Sequence, residues 1–166
     1  GRKDLALATL LLDAGKAGLA LLIARALASQ SPQQMEIGLV AGAAAFVGHC
    51  YPVWLKFEGG KGVATFFGVL FAGAWPIGVM AGVTWIAVAT MFGYSSLGSL
   101  SAAAIAPLAA LVAGFDPPVI AFTLVLAGLI FWRHRANIVR LRAGTEPRIG
   151  GKKTEGRELR AIERSP

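Results

Sequence analysis

Long apolar runs alternate with short polar breaks along the whole chain. Between Leu5 and Leu27 the only charges are Asp13, Lys16 and Arg25, and the run is long enough to cross a hydrocarbon core of roughly 30 Å as a helix. Asp13 and Lys16 are three apart, so they share a helix face and are expected to neutralise each other inside a bundle. The segment "SQSPQQ" breaks this helix, and Ile37 to Leu55 makes a second span in which Gly38 and Gly42 form a GxxxG pair suited to close packing. After "KFEGGKG" comes an uncharged stretch, Val63 to Phe92, about 45 Å as one straight helix. That is too long for one span and short for two. Pro76 near its middle predicts a hairpin between two helices of roughly 14 to 16 residues. Beyond "GYSSLGS", Leu100 to Ala113 runs to the turn "GFDPP", and Val119 to Trp132 is the last apolar segment, ending abruptly at Arg133.

The reading is an all-α, polytopic transmembrane bundle of about six spans, some short or kinked, over residues 1–132. A basic segment, 133–166, belongs to the same domain. Charge parity favours the hairpin. With the basic tail on the cytoplasmic side, two spans back puts "GYSSLGS" there too, and a hairpin returns "KFEGGKG" to the same face. One long helix would place Lys56 and Lys61 outside, against the positive-inside bias. The N-terminal "GRK" then also falls inside, so four polar segments meet at one headgroup plane.

Composition agrees. The chain is 166 residues long, 55% hydrophobic and 15% charged, which exceeds the usual apolar content of soluble domains. Of its 16 lysines and arginines, ten lie between Arg133 and Arg164, so the net charge of +7 belongs mostly to the tail. No aromatic residue follows Trp132, which leaves nucleic-acid bases no stacking platform; anionic lipid headgroups explain the charge better. Cys50 is the single cysteine, favouring a small buried residue and leaving the redox compartment open. No secretory signal peptide is evident, and because the chain opens on Gly1 rather than Met a preceding segment is expected.

The candidate chemistry lies in the polar breaks. Gly59, Gly60, Lys61 and Gly62 precede Val63 and Ala64, which open a helix: glycine backbone N–H groups, a helix N-terminus and one full charge make an anion cradle. The plainer alternative is a glycine turn with a snorkelling lysine. The loop is not a Walker A sequence, which would need glycine at Leu55 and Ser or Thr at Gly62. His134 and Asn137 are three apart where the last span ends, and can orient hydroxyls or phosphate oxygens; alternatively Arg133, His134 and Arg135 only anchor the helix at the interface. Ser95, Ser96 and Ser99 suit helix caps and contacts as well as a site. His49 and Cys50 lack further ligands for a metal, and no GxSxG elbow is present.

Together, "GHCYPVWLKFEGGKGVAT", "GYSSLGS" and "RHRANIVRLRAGTEPRIG" resemble the PlsY family of bacterial acyl-phosphate:glycerol-3-phosphate acyltransferases over nearly the whole chain. The resemblance implies an inner-membrane enzyme, with its active-site loops and C-terminus cytoplasmic, that makes lysophosphatidic acid and phosphate from acyl phosphate and glycerol 3-phosphate. It implies no metal and no cofactor, and membrane lipids as surroundings. It gives Gly59, Gly60, Lys61 and Gly62 the role of binding glycerol 3-phosphate, and His134, Asn137 and Ser99 or Ser96 that of the catalytic group. The family's SGNxGATNxxR motif falls before the first residue here. The HxxxxD motif of other glycerol-phosphate acyltransferases is absent, since Trp54 and Val139 stand five residues after His49 and His134. An acyl phosphate is already activated, so positioning and charge balance are the main requirements, with a phosphate oxygen of a substrate accepting the hydroxyl proton. A small anion transporter and a lipid-binding scaffold are the alternatives.

Overall fold

The computed structural model describes residues 2–150. Gly1 of the N-terminal "GRK" and the tail cations Lys152, Lys153, Arg157, Arg160 and Arg164 lie outside the described residues. Among the described residues seven α-helices follow one another: α1 (Lys3–Leu27), α2 (Gln34–Cys50), α3 (Val63–Gly73), α4 (Trp75–Phe92), α5 (Ser95–Val112), α6 (Pro117–Arg133) and α7 (Arg135–Arg142). A 3-10 turn, Val53–Leu55, precedes the glycine loop.

Four of these are long and apolar enough to cross a membrane, α2 together with the 3-10 turn that follows it, while α6 and α7 form a pair bent by 61° at His134. The expected hairpin is present but uneven. α3 has 11 residues and α4 has 18; α3 is therefore about 16 Å long and cannot span alone. The break falls at Ala74, and Pro76 sits in the first turn of α4, where its missing N–H removes no helical bond. The fold-back is visible in the contacts. Ala64 and Ile86 line one cavity, whereas a straight helix would separate them by about 33 Å (22 residues at 1.5 Å each).

Two other boundaries differ from the hydropathy reading. α2 ends at Cys50 rather than Leu55, because Pro52 disfavours helical backbone at the residue before it. α5 begins at Ser95, so the serines of "GYSSLGS" occupy helical turns rather than a loop. Gly93, at φ 77°, ends α4, and α5 starts two residues later.

Large apolar side chains cover much of the outside, and part of the inside is built from small residues. Leu19, Val83 and Val112 are 58%, 61% and 88% exposed, a surface suited to lipid rather than water. The core between α4, α5 and α6 includes Ala81, Ala102, Ala103, Ala106, Ala109 and Ala110. Such surfaces let helices approach closely where burial against lipid supplies little driving force. Gly38 lies against Arg25 and the Leu21 carbonyl, and Gly42 against Leu21 and Val69, so the GxxxG pair packs on α1. The tightest crossing joins α1 to α3, which run parallel: Gly68 lies against the Ala14 carbonyl, and Gly18 against Gly68 and Ala72. Asp13 and Lys16 do pair, at 2.7 Å, and Lys16 Nζ also donates to His49 Nδ1 at 2.8 Å, tying α1 to the end of α2.

The α1–α3 crossing gives a direct test. A Cβ at Gly68 would collide with backbone of α1, so Gly68→Val should destabilise the protein by about 1–3 kcal/mol or more. Gly15→Ala, with nothing within 4 Å of the new methyl, should be neutral or slightly stabilising. Thermal midpoints in detergent would compare them, and equal midpoints for the two variants would exclude the close crossing.

Candidate functional site

The glycine loop is shaped by the end of α2. After Cys50 the chain turns through the 3-10 segment and two left-handed residues, Lys56 (φ 51°) and Phe57 (φ 65°), before folding back over the helix terminus. Gly59 lies so close to the His49 and Cys50 carbonyls and the Pro52 ring that no Cβ fits there. Gly62, at φ 78°, sits under the Phe46 ring and caps α3, whose first turn begins at Val63. Lys61 therefore projects from a tightly seated loop directly before a helix N-terminus.

Lys61 enters a cavity of about 770 Å³. Its polar end is lined by Lys61, Ser95, Ser96, Ser99, His134, Asn137 and Glu146; its apolar end, between α1, α3 and α4, by Leu10, Ala14, Phe67, Phe71, Trp85 and Ile86. Thus three polar segments far apart in sequence meet at one site. Lys61, Ser96, Ser99, His134 and Asn137 are brought together as expected, but Gly59, Gly60 and Gly62 do not line the cavity. Gly59 and Gly60 face a second hollow of about 540 Å³, shared with Asp13, Lys16 and His49.

His134 is buried at the bend between α6 and α7. Its Nδ1 lies 2.8 Å from the Ile130 carbonyl. A carbonyl only accepts, so Nδ1 carries the proton and Nε2 is left as the acceptor of the neutral ring. Burial lowers the imidazole below its ordinary value, and the nearby positive charges of Lys61 and Arg133 act the same way against the Ile130 carbonyl and Glu146. Lys61 is also lowered, by burial first, with Arg140 and Arg133 adding to it and Glu146 opposing.

Asn137 is held by a residue to which motif reasoning assigned no role. Glu146 Oε1 accepts from Asn137 Nδ2 at 2.5 Å and from Ser96 Oγ at 2.6 Å, and Oε2 accepts from Arg140 Nε at 2.7 Å. Burial alone would raise this carboxyl, but the donors from Ser96, Asn137 and Arg140 hold it below the usual range. Because an ionised carboxylate only accepts, Asn137 must turn its NH₂ toward it, which leaves buried Asn137 Oδ1 without a partner among the described residues. The two serines differ correspondingly. Ser96 holds Glu146, while Ser99 donates to the Ser95 carbonyl at 3.0 Å and accepts from Trp85 Nε1 at 3.1 Å. The available signal for Glu146 was its isolation, as the one acidic residue between Arg133 and Gly150.

Glu146→Ala would leave buried Asn137 and Ser96 and the Arg140 guanidinium without their common acceptor, costing about 2–4 kcal/mol. Glu146→Gln, which keeps one acceptor oxygen, should cost less. The expected order of thermal midpoints is wild type, Gln, Ala; three equal midpoints would show that the carboxylate does not pin this segment.

The family sequence model for glycerol-3-phosphate acyltransferase matches residues 1–144. A glycerol-3-phosphate acyltransferase of Caulobacter vibrioides is 55% identical over 153 residues, 92% of this chain and 69% of that protein. One of Maricaulis maris is 54% identical over 155 residues, 93% and 69% of the respective lengths. A crystal structure of PlsY, an integral membrane glycerol 3-phosphate acyltransferase, in its lysophosphatidic acid form superposes with a TM-score of 0.81 at 35% identity, covering 88% of this chain and 73% of that one. Its glycerol 3-phosphate form gives 0.79 at 33% identity, covering 89% and 72%. With the sequence matched along most of its length and the helical arrangement shared, the chain belongs to the glycerol-3-phosphate acyltransferase family.

Proposed function

We propose that the protein transfers a fatty acyl group from acyl phosphate to the sn-1 hydroxyl of glycerol 3-phosphate, at this cavity and on the cytoplasmic face of a bacterial inner membrane. The observation that carries the reading is the cavity's divided chemistry. Among its described lining residues Lys61 supplies the one lysine or arginine charge, for a phosphate. His134 Nε2 and Asn137 Oδ1 are acceptors, suited to hydroxyl groups. The apolar end between α1, α3 and α4 suits an acyl chain entering from the bilayer, and pockets of this size hold drug-sized ligands. Glycerol 3-phosphate carries one phosphate and two hydroxyls, which fits that set of groups.

In the reaction the sn-1 oxygen attacks the acyl carbon, a new ester C–O bond forms, and the acyl C–O bond to phosphate breaks. Phosphate leaves with the bonding electron pair, and the hydroxyl proton passes to a phosphate oxygen. His134 Nε2 accepts a hydrogen bond from the attacking hydroxyl and aims it, while Lys61 balances phosphate charge. No protein nucleophile is required, since the donor is a mixed anhydride. Ser96 supports Glu146, and Ser99 braces Trp85 on the cavity wall. Residues 133–150 are read as the cytoplasmic cover of this site, with anionic lipid near their cations.

Two measurements test this. The full-length protein in lipid, given a long-chain acyl phosphate and glycerol 3-phosphate, should form lysophosphatidic acid, with acyl-CoA giving none. Lys61→Ala should lower kcat/KM by about a hundredfold or more, as for loss of a charge-assisted contact; wild-type turnover by this variant would reduce the loop to a turn. The second measurement is the pH profile. Because the folded His134 is lowered, the ring stays neutral through pH 7 and its accepting Nε2 is lost only as pH falls through that lowered value. The ratio of wild-type to His134→Gln activity cancels titration of the substrates. It should be flat above pH 7 and fall on the acid side, below the ordinary histidine midpoint of about 6.5. A pH-independent ratio would remove His134 from the step, and rescue of His134→Ala by an external base with binding of both substrates intact would make it the proton acceptor instead.

A further inference from the structure

Arg133 ends α6 one residue before His134, yet it does not line the main cavity. Its side chain reaches back across the sequence to the glycine loop. Arg133 Nη2 donates to the Gly59 carbonyl at 2.6 Å, and Nε donates to the Gly60 carbonyl at 3.0 Å. The guanidinium also sits 4.9 Å from the centre of the Tyr51 ring. Arg135, two residues on, is arranged differently: it stacks on Trp132 at 5.1 Å and donates to the Trp132 carbonyl at 3.2 Å, contacts within its own turn that suit an interfacial anchor.

From this geometry we infer that Arg133 is a positioning residue: it takes the carbonyl oxygens of Gly59 and Gly60 and so keeps the glycine loop receptive to a substrate phosphate. The inference rests on the reading that Lys61, which this loop carries into the cavity, receives a phosphate. Carbonyl oxygens carry partial negative charge, and a loop that turned two of them toward Lys61 would repel the anion that Lys61 attracts. Glycine backbone has little of its own to prevent that turn. The planar fork of an arginine matches two acceptors at once, whereas a lysine offers a point charge. Because Arg133 and His134 are neighbours, one turn at the end of α6 carries both the clamp on the Lys61 loop and the imidazole in the cavity. The spacing between the cation and the hydroxyl acceptor is thereby set locally rather than through six packed helices.

The test is a steady-state analysis of the full-length protein in lipid, varying glycerol 3-phosphate and acyl phosphate separately, for Arg133→Lys, Arg133→Gln and Arg135→Lys, with thermal midpoints alongside. Arg133→Lys should raise KM for glycerol 3-phosphate about tenfold and Arg133→Gln further, as for one and two lost charge-assisted bonds, with KM for acyl phosphate within about twofold. Arg135→Lys, which keeps the anchoring charge, should match wild type in both. Wild-type constants for Arg133→Lys would overturn the clamp, since lysine anchors a helix equally well. A lower midpoint and kcat with both KM values unchanged would also overturn it, leaving a packing role alone. A rise in KM for acyl phosphate instead would uphold the clamp and overturn the assignment of the loop to glycerol 3-phosphate.

Discussion

Glu146 is a carboxylate withdrawn from water, and the arrangement of the cavity depends on how its charge is met. Burying an ionised carboxylate is costly unless donors surround it. Here the donors come from separate elements: Ser96 from the beginning of α5, Asn137 and Arg140 from α7. Satisfying the carboxylate therefore fixes where the segment after the last span lies, against the mouth of the bundle. Two lesser contacts follow the same path, the Ile149 amide donating to the Gly93 carbonyl at 2.8 Å and Arg148 lying over Tyr94. The carboxylate also determines what Asn137 can offer a ligand, because turning its NH₂ toward Glu146 points Oδ1 the other way as an acceptor.

The polar groups of the cavity are placed by helix ends and bends. Lys61 precedes α3 and His134 stands at the 61° bend between α6 and α7. α3 is too short to span, but its parallel crossing with α1 at Gly68 seats it firmly, and its fold-back into α4 opens an apolar slot beside Lys61. A polar substrate and a lipid-soluble one can then meet at one wall without a channel through the bundle. Asp13 and His49, both half-buried, and the exposed Lys16 are bonded to one another between α1 and α2 rather than strung along a path, so they do not favour the transporter alternative.

Much of this was legible in the chain itself. Uninterrupted apolar runs have few physical outcomes besides membrane helices, because backbone polar groups in lipid must bond within their own segment. "GGKG" and "HRANI" were legible as candidate chemistry because polar residues crowd at the ends of those runs. Pro76 announced a fold-back, although the break fell at Ala74, since proline is accommodated inside a helix's first turn. The serines were legible as a cluster but not as individuals: what separates Ser96 from Ser99 is a partner 50 residues away and an indole on the preceding helix.

The sequence by itself thus determined the medium, the helical class, the family and the residue types at the site. The carboxylate under Asn137, the proton on His134 Nδ1 and the grip of Arg133 on two glycine carbonyls were decided only by the tertiary structure. The reason is physical. Apolar periodicity and local backbone preference act over a few residues and can be read along the chain, whereas a hydrogen bond spanning 50 to 74 residues exists only once helix lengths, bends and crossings have set the distance between its partners.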